Sequence, residues 1–157
     1  MDPIALRATT VLVAGIFWKF FLTTALQGYS RFISGGRPPE DQKFGLQGED
    51  VVQGFTVKDD GGGKAAAKME RWNRVVANDL ENLPLGLILC ILSCMTIQQG
   101  SVTAWVHVGC CCAFGLGRVL HTVCFAYGLQ PWRTVSYVIG VVASFVWSIM
   151  AIINVFQ

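Results

Sequence analysis

Residues Met69–Asn82 read M-E-R-W-N-R-V-V-A-N-D-L-E-N and run without a break into Leu83–Ile97, which is almost wholly apolar. A charged, amide-rich segment feeding straight into a hydrophobic one predicts a single helix that starts in water and continues into lipid, because the bilayer core offers polar groups no hydrogen-bonding partner. At about 100° per residue, Arg71, Arg74, Asn78 and Glu81 fall within one arc of roughly 80°. Two guanidiniums, an amide and a carboxylate then point one way near the mouth of a membrane span. Lipid penalises each such charge by about 3 kcal/mol or more, so the arc is expected to face the inside of a bundle. There it would grip a polar, anionic ligand at the membrane boundary. An internal ion pair between Arg74 and Glu81 is an equally good reading of the arc alone.

The rest of the chain supports a membrane protein. Of 157 residues, 53% are hydrophobic and 14% charged, and the mean hydropathy is +0.50. No Lys, Arg, Asp or Glu occurs from Asn82 to Gly117 or from Thr134 to Gln157. Both runs exceed the roughly 20 residues that a spanning helix needs. The net charge of +2 is too small to suggest nucleic acid, and the basic residues form no stripe with exposed aromatics. At the N-terminus Asp2 stands where a signal peptide carries a basic residue, which predicts an uncleaved first helix.

Hydropathy predicts four helices at about residues 4–32, 65–98, 102–127 and 131–156 in a single domain, with a soluble loop over 34–64. The first is interrupted by Lys19, expected to reach toward the headgroups rather than to be buried in an ion pair. The loop holds Gly35-Gly36, Pro38-Pro39 and Gly61-Gly62-Gly63, the last read as a flexible joint, with one short ordered piece around Glu40–Phe44. Pro84 removes a backbone donor from the second helix and is expected to bend it beside Asn78 and Glu81. In the third helix Gly109, Ala113 and Gly117 form a small-residue seam, and Arg118, His121, Thr122 and Phe125 share an arc near its end. Pro131 suits the first position of the fourth helix, on which Arg133 and Tyr137 lie one turn apart. Gly140, Ser144 and Ser148 form a second small-residue seam.

The six cysteines, Cys90, Cys94, Cys110, Cys111, Cys112 and Cys124, all fall in predicted spans. Cys110, Cys111 and Cys112 point in three directions on a helix and match no zinc spacing, so no metal and no disulfide framework are expected. They read as small apolar packing residues or as sites of reversible thiol modification. His107 is assigned no role.

Lys and Arg concentrate in and beside the long loop, with Arg133 after the third turn, which predicts a cytosolic loop and non-cytosolic termini. Arg31, Arg74, Asn78, Glu81, Arg118, His121, Arg133 and Tyr137 are then all expected on the cytosolic side. Taken singly, Arg118 reads as structural, His121 as a packing histidine and Tyr137 as an interfacial aromatic.

Several separated motifs resemble one family, the membrane-associated proteins in eicosanoid and glutathione metabolism (MAPEG). They are Glu70-Arg71-x-x-Arg74-x-x-x-Asn78-Asp79-x-Glu81-Asn82, Gly117-Arg118-x-x-His121-Thr122, Arg133-Thr134-x-x-Tyr137 and the loop motif Pro39-Glu40-Asp41. Asn78–Asn82 and Phe44-Gly-x-x-Gly-Glu49 are most like its glutathione-transferase branch, and Arg133–Tyr137 its prostaglandin E synthase branch. The chain departs from the pattern at Phe125, where tyrosine is usual, at Val76 and Ala77, often basic, at Asn73, often arginine, and at Gln42, a cysteine in some relatives.

The resemblance implies an all-α, integral-membrane four-helix bundle of left-handed up-down topology, assembled as a homotrimer. It implies glutathione as co-substrate, bound between subunits and facing the cytosol, in the endoplasmic reticulum or the mitochondrial outer membrane. Arg31, Arg74, Asn78, Glu81, His121, Arg133 and Tyr137 are the expected glutathione contacts, with Glu70 and Arg118 as a bracing ion pair. Guanidinium forks suit the two carboxylates of the tripeptide, and Glu81 suits its ammonium. Arg133, helped by Thr134 and the start of the fourth helix, is the expected activator of the thiolate. The second substrate would be a hydrophobic electrophile or lipid hydroperoxide arriving through membrane lipid. The competing readings are a glutathione-dependent endoperoxide isomerase, a non-catalytic lipid-presenting scaffold and, more weakly, a small transporter.

Overall fold

The computed structural model describes residues 1–48, 50–55 and 63–156. Four long helices carry them: α1 Pro3–Ser34, α2 Lys64–Thr96, α3 Thr103–Tyr127 and α4 Trp132–Val155, with a short 3-10 helix at Pro39–Phe44. Each of the four is long and apolar enough to cross a bilayer. This is the all-α membrane architecture that the hydropathy predicts. Where the helix ends differ from the sequence reading, local hydrogen bonds explain it. α2 stops at Thr96 because Ile97 N turns to Cys94 O and the chain then reverses through Gly100 at φ +77°. Pro131 caps α4 from outside rather than opening it. α2 continues unbroken through Pro84.

The chain divides into two compact units, residues 1–19 with 79–157, and residues 20–78. In the first unit α3 and α4 pack against each other across a tight turn. Gly128 closes α3 at φ +70°, and Leu129 N donates to Cys124 O at 2.8 Å, a left-handed cap that glycine adopts without strain. A Cβ on Gly117 would stand 3.0 Å from Ser136 O, so glycine is what lets the two backbones approach there. Gly109 of the expected seam makes no such approach, since a Cβ there would meet nothing within 4 Å. A Cβ on Gly86 of α2 would strike the tip of the Phe114 ring, so glycine is what admits the ring there. Phe114 in turn packs on the fully buried Trp147, ring centroids 5.4 Å apart.

Asp2 begins this unit as a staple. Its Oδ1 accepts from Ile4 N at 2.8 Å and Ala5 N at 3.2 Å, capping α1. Its Oδ2 accepts from Gly100 N at 3.0 Å, tying the start of α1 to the α2–α3 turn.

In the second unit the loop folds back on the end of α1 through Gln53. Gln53 Nε2 donates to Phe32 O at 2.8 Å, and its Oε1 accepts from Arg37 N at 3.0 Å. Gln42 Oε1 accepts from Gln53 N at 2.8 Å. Arg37 pairs with Asp41 at 2.7 Å and lies over the Phe32 ring. The loop is thus ordered at Pro39–Phe44, where the sequence predicts order. Glu49 and Gly61-Gly62 lie outside the described residues.

Candidate functional site

The charged centre of the first unit is Asp79. Its carboxylate is fully buried and accepts from two cations, Arg118 Nη2 at 2.8 Å and Lys19 Nζ. Two sequence expectations are corrected here. Lys19 does not snorkel; it ends in a buried ion pair. Arg118 takes Asp79, and Glu70 takes Arg74 Nε at 2.7 Å one turn away, so the expected Glu70–Arg118 brace is replaced by two other pairs. The physical reason lies in helix phase. Asp79 shares the buried face of α2 with Val75, Leu83 and Gly86, whereas Glu70 and Arg74 lie on an exposed one.

The same phase argument applies to the polar arc. Arg71, Arg74 and Glu81 are exposed and Asn78 is half-buried, so the arc points out of the chain's own interior. Among the described residues Glu81 makes no hydrogen bond or ion pair, while Arg74 is held only by Glu70.

At the start of α4 the first unit gathers a second cluster. The Arg133 guanidinium lies over the Phe125 ring, 4.7 Å from its centroid. The Phe125 ring meets His121 at 5.8 Å, and His121 meets Tyr137 at 6.0 Å. Gln130 stands beside this cation: with its amide oxygen toward the guanidinium it accepts from Arg133 Nη2 at 2.5 Å, and its nitrogen reaches Thr134 Oγ1 at 3.2 Å. His121 is buried, and its Nδ1 has no hydrogen-bond partner among the described residues. A buried, unsatisfied ring nitrogen costs stability unless a water or ligand reaches it. One expectation is weakened. The N–H groups of Arg133, Thr134 and Val135 bond to Leu129 O and Pro131 O, so the first turn of α4 offers few free donors, and the guanidinium carries the positive charge there.

The second unit places the remaining expected residues. Asn73 Oδ1 accepts from Gln27 Nε2 at 3.1 Å and from Arg31 Nε and Nη2 at 3.2 and 3.1 Å. An arginine at that position could not accept these bonds, so the departure to Asn73 is what orients Arg31. Asn78 sits half-buried on α2.

Sequence reasoning missed Asp79 as the central carboxylate, Gln130 as the neighbour of Arg133, and Asn73 as the anchor of Arg31. Asp79 had a visible signal, its four-residue spacing from Val75 and Leu83, which phases it with the apolar face. Gln130 and Asn73 had none short of side-chain geometry.

A profile of the MAPEG family matches residues 8–153, and the chain belongs to that family. The family comprises glutathione-related membrane transferases and isomerases, some members not being transferases. No individual curated protein matches the chain.

Proposed function

We propose that this MAPEG chain is a membrane glutathione transferase that raises the thiolate of glutathione against hydrophobic electrophiles and, by the same nucleophile, lipid hydroperoxides. The observation that carries the reading is the Arg133 cluster. A guanidinium is held over an aromatic ring beside a buried histidine whose Nδ1 lacks a partner among the described residues. A polar ligand atom settling there would satisfy His121 and meet a fixed positive charge. Arg31, Arg74, Asn78, Glu81, His121, Arg133 and Tyr137 are the proposed glutathione contacts, on the family resemblance. No metal takes part in the proposed transfer.

The chemistry follows from charge. A cysteine-type thiol loses its proton with a pKa of about 8.5, so at neutral pH little thiolate is present without help. Arg133 would stabilise the anion, and the Thr134 hydroxyl would donate to the sulfur. The sulfur lone pair then forms the S–C bond as the leaving group departs with its electron pair. An apolar second substrate already concentrates in the bilayer, so the protein needs only to present the sulfur at its edge. We place the long loop and the site on the cytosolic side because the basic residues cluster there, and assign the chain to the endoplasmic reticulum on the family resemblance.

The test uses detergent-purified protein with glutathione and a chlorodinitrobenzene-type electrophile. Conjugation is expected, with the ultraviolet absorbance of the bound thiolate visible before the electrophile is added. Arg133→Ala is expected to lower kcat/KM about 10²- to 10³-fold, the usual cost of removing a preorganised charge from a developing or bound anion. Unchanged activity in a folded Arg133→Ala protein rejects the assignment. The isomerase reading, favoured by the Arg133–Tyr137 stretch, is separated by assaying a prostaglandin endoperoxide in parallel. Absence of both activities with glutathione bound would return the chain to the lipid-scaffold reading.

A further inference from the structure

Cys90 of α2 and His107 and Cys111 of α3 meet inside the first unit, far along α3 from His121. Cys90 and His107 are fully buried and Cys111 nearly so. Cys90 Sγ lies 3.9 Å from Cys111 Sγ and 4.0 Å from His107 Nε2, and the three donor atoms all lie within 4.8 Å of one another. Thr9 of α1 closes the group, its Oγ1 2.8 Å from His107 Nε2 and 3.8 Å from Cys90 Sγ. The proposed transfer uses none of these residues.

We propose that Cys90, His107 and Cys111 form a binding site for a soft divalent cation of the zinc class, with Thr9 as the fourth group. Four observations support it. The first is distance. Tetrahedral zinc, with Zn–S near 2.3 Å and Zn–N near 2.0–2.1 Å, requires S···S edges of about 3.8 Å and S···N edges of about 3.5 Å. The S···S edge matches, the Cys90–His107 edge is about half an ångström longer and the Cys111–His107 edge lies within 4.8 Å, so the imidazole has to be drawn in by side-chain rotation on loading.

The second is the tautomer. His107 Nδ1 lies 3.2 Å from Ser93 Oγ. With the proton on Nδ1 and donated to Ser93, Nε2 keeps its lone pair, which accepts from Thr9 Oγ1 at 2.8 Å and would pass from that hydroxyl to the cation on loading, the tautomer that outer hydrogen bonds impose on metal-bound histidine. The third is charge. The site lies within two predicted spans, where an isolated charge is strongly disfavoured. Two thiolates and one divalent cation sum to zero, with the imidazole neutral. Loading releases two thiol protons, one from each cysteine. A monovalent soft cation would leave a buried net negative charge, which is why the divalent class is favoured. The fourth is access. Cys111 lines a groove of about 600 Å³ together with Leu12, Ile16, Val108, Cys112 and Gly115, so it is the member of the cluster that borders open space, while Cys90 and His107 lie behind it. The primary spacing gives no zinc motif because the ligands come from two helices, with His107 and Cys111 one turn apart on α3.

The experiment loads the detergent-purified full chain with Zn²⁺, Cd²⁺ or Co²⁺ alone. One tightly held ion per chain is expected. Co²⁺ should give a sulfur-to-metal charge-transfer band, and X-ray absorption of the zinc form should show two sulfurs in the first shell. The double variant Cys90→Ser, Cys111→Ser should lose the ion, while Cys110→Ser, Cys112→Ser and Cys124→Ser each keep it. Ser93→Ala should weaken binding about ten- to a hundredfold while leaving the ligands in place. The proposal is overturned by failure to hold any of these ions, by retention in the double variant, or by a first shell without two sulfurs. The X-ray absorption reading needs no substitution, so misfolding of the double variant does not spare the proposal. None of these readouts involves glutathione.

Discussion

Asn73, Gln42 and Phe125 depart from the family pattern, where arginine is frequent, cysteine occurs in some relatives and tyrosine is usual, and each forms a contact that those residues would not make in the same way. Asn73 accepts two bonds from the Arg31 guanidinium. Gln42 bonds Gln53 N and Val51 O with opposite ends of its amide, which fastens the loop. Phe125 offers a ring face to Arg133 in place of a hydroxyl, a contact worth about 0.5–1 kcal/mol where exposed and more where desolvated. Asp79 is the residue with the largest stake. Asp79→Ala would leave Lys19 and Arg118 buried without the carboxylate that both now share. Breaking a buried pair from one side costs about 3–5 kcal/mol. Thermal unfolding in detergent should therefore show a large drop in Tm, with Asp79→Asn falling between the two. An Asp79→Ala protein as stable as the parent would mean the triad contributes nothing net. That Arg118 would meet a carboxylate was an expectation of the sequence. Which carboxylate was not legible, because several acids on α2 lie within reach and only the phase of the helix against its neighbours selects among them.

At the level of elements, the helices were legible because length and hydropathy suffice to fix spans that lipid must solvate. Their ends are set by single hydrogen bonds, which explains why α2 stops short at Thr96 and why α4 starts after Pro131. Lys19 was misread for a related reason: a lone cation in an apolar helix has two physical solutions, and choosing between them requires knowing whether a carboxylate faces it. Asp2 shows how much one terminal residue can add. Its carboxyl sits below the usual carboxylate range, chiefly because Gly100 N–H donates to it and further because the Ile4 and Ala5 amides do, against the opposing effect of burial. A carboxyl with a depressed folded pKa contributes stability that is fully present above its ordinary value and is lost as pH falls through the lower folded one. The α1 start and the α2–α3 turn should therefore stay joined at neutral pH and separate only below about pH 4. Hydrogen exchange of the Ile4, Ala5 and Gly100 amides should accelerate there beyond the intrinsic trend. In Asp2→Asn the three amides should show no such transition. A transition of equal size in the variant would assign it to another group.

At the scale of the whole molecule, the polar arc of α2 poses the problem that one chain leaves open. Arg71, Arg74 and Glu81 are exposed on a helix that continues into a bilayer, and a charge facing lipid is disfavoured by about 3 kcal/mol or more. Water can cover them only where the helix stands outside the membrane. A second copy of the chain covers them at any depth, which fits the homotrimer implied by the family resemblance. If the ligand lies where copies meet, Arg74 from one copy and Arg133 from the next would serve the same glutathione. Mixing two defective chains tests this directly. Arg74→Ala and Arg133→Ala homo-oligomers should each have little activity. Co-expressed in equal amounts, they assemble at random, and an interface draws an intact Arg74 from one side and an intact Arg133 from the other in about one case in four, as the rotational symmetry of a ring allows. Recovery of roughly a quarter of the parental activity is therefore expected, together with a threefold mass by native mass spectrometry. If both arginines served the site of their own copy, every site in the mixture would carry one defect, and no activity would return. That null result, from a mixture shown to contain hybrid oligomers, would move the site into the single chain and leave the exposed arc to be covered by water alone.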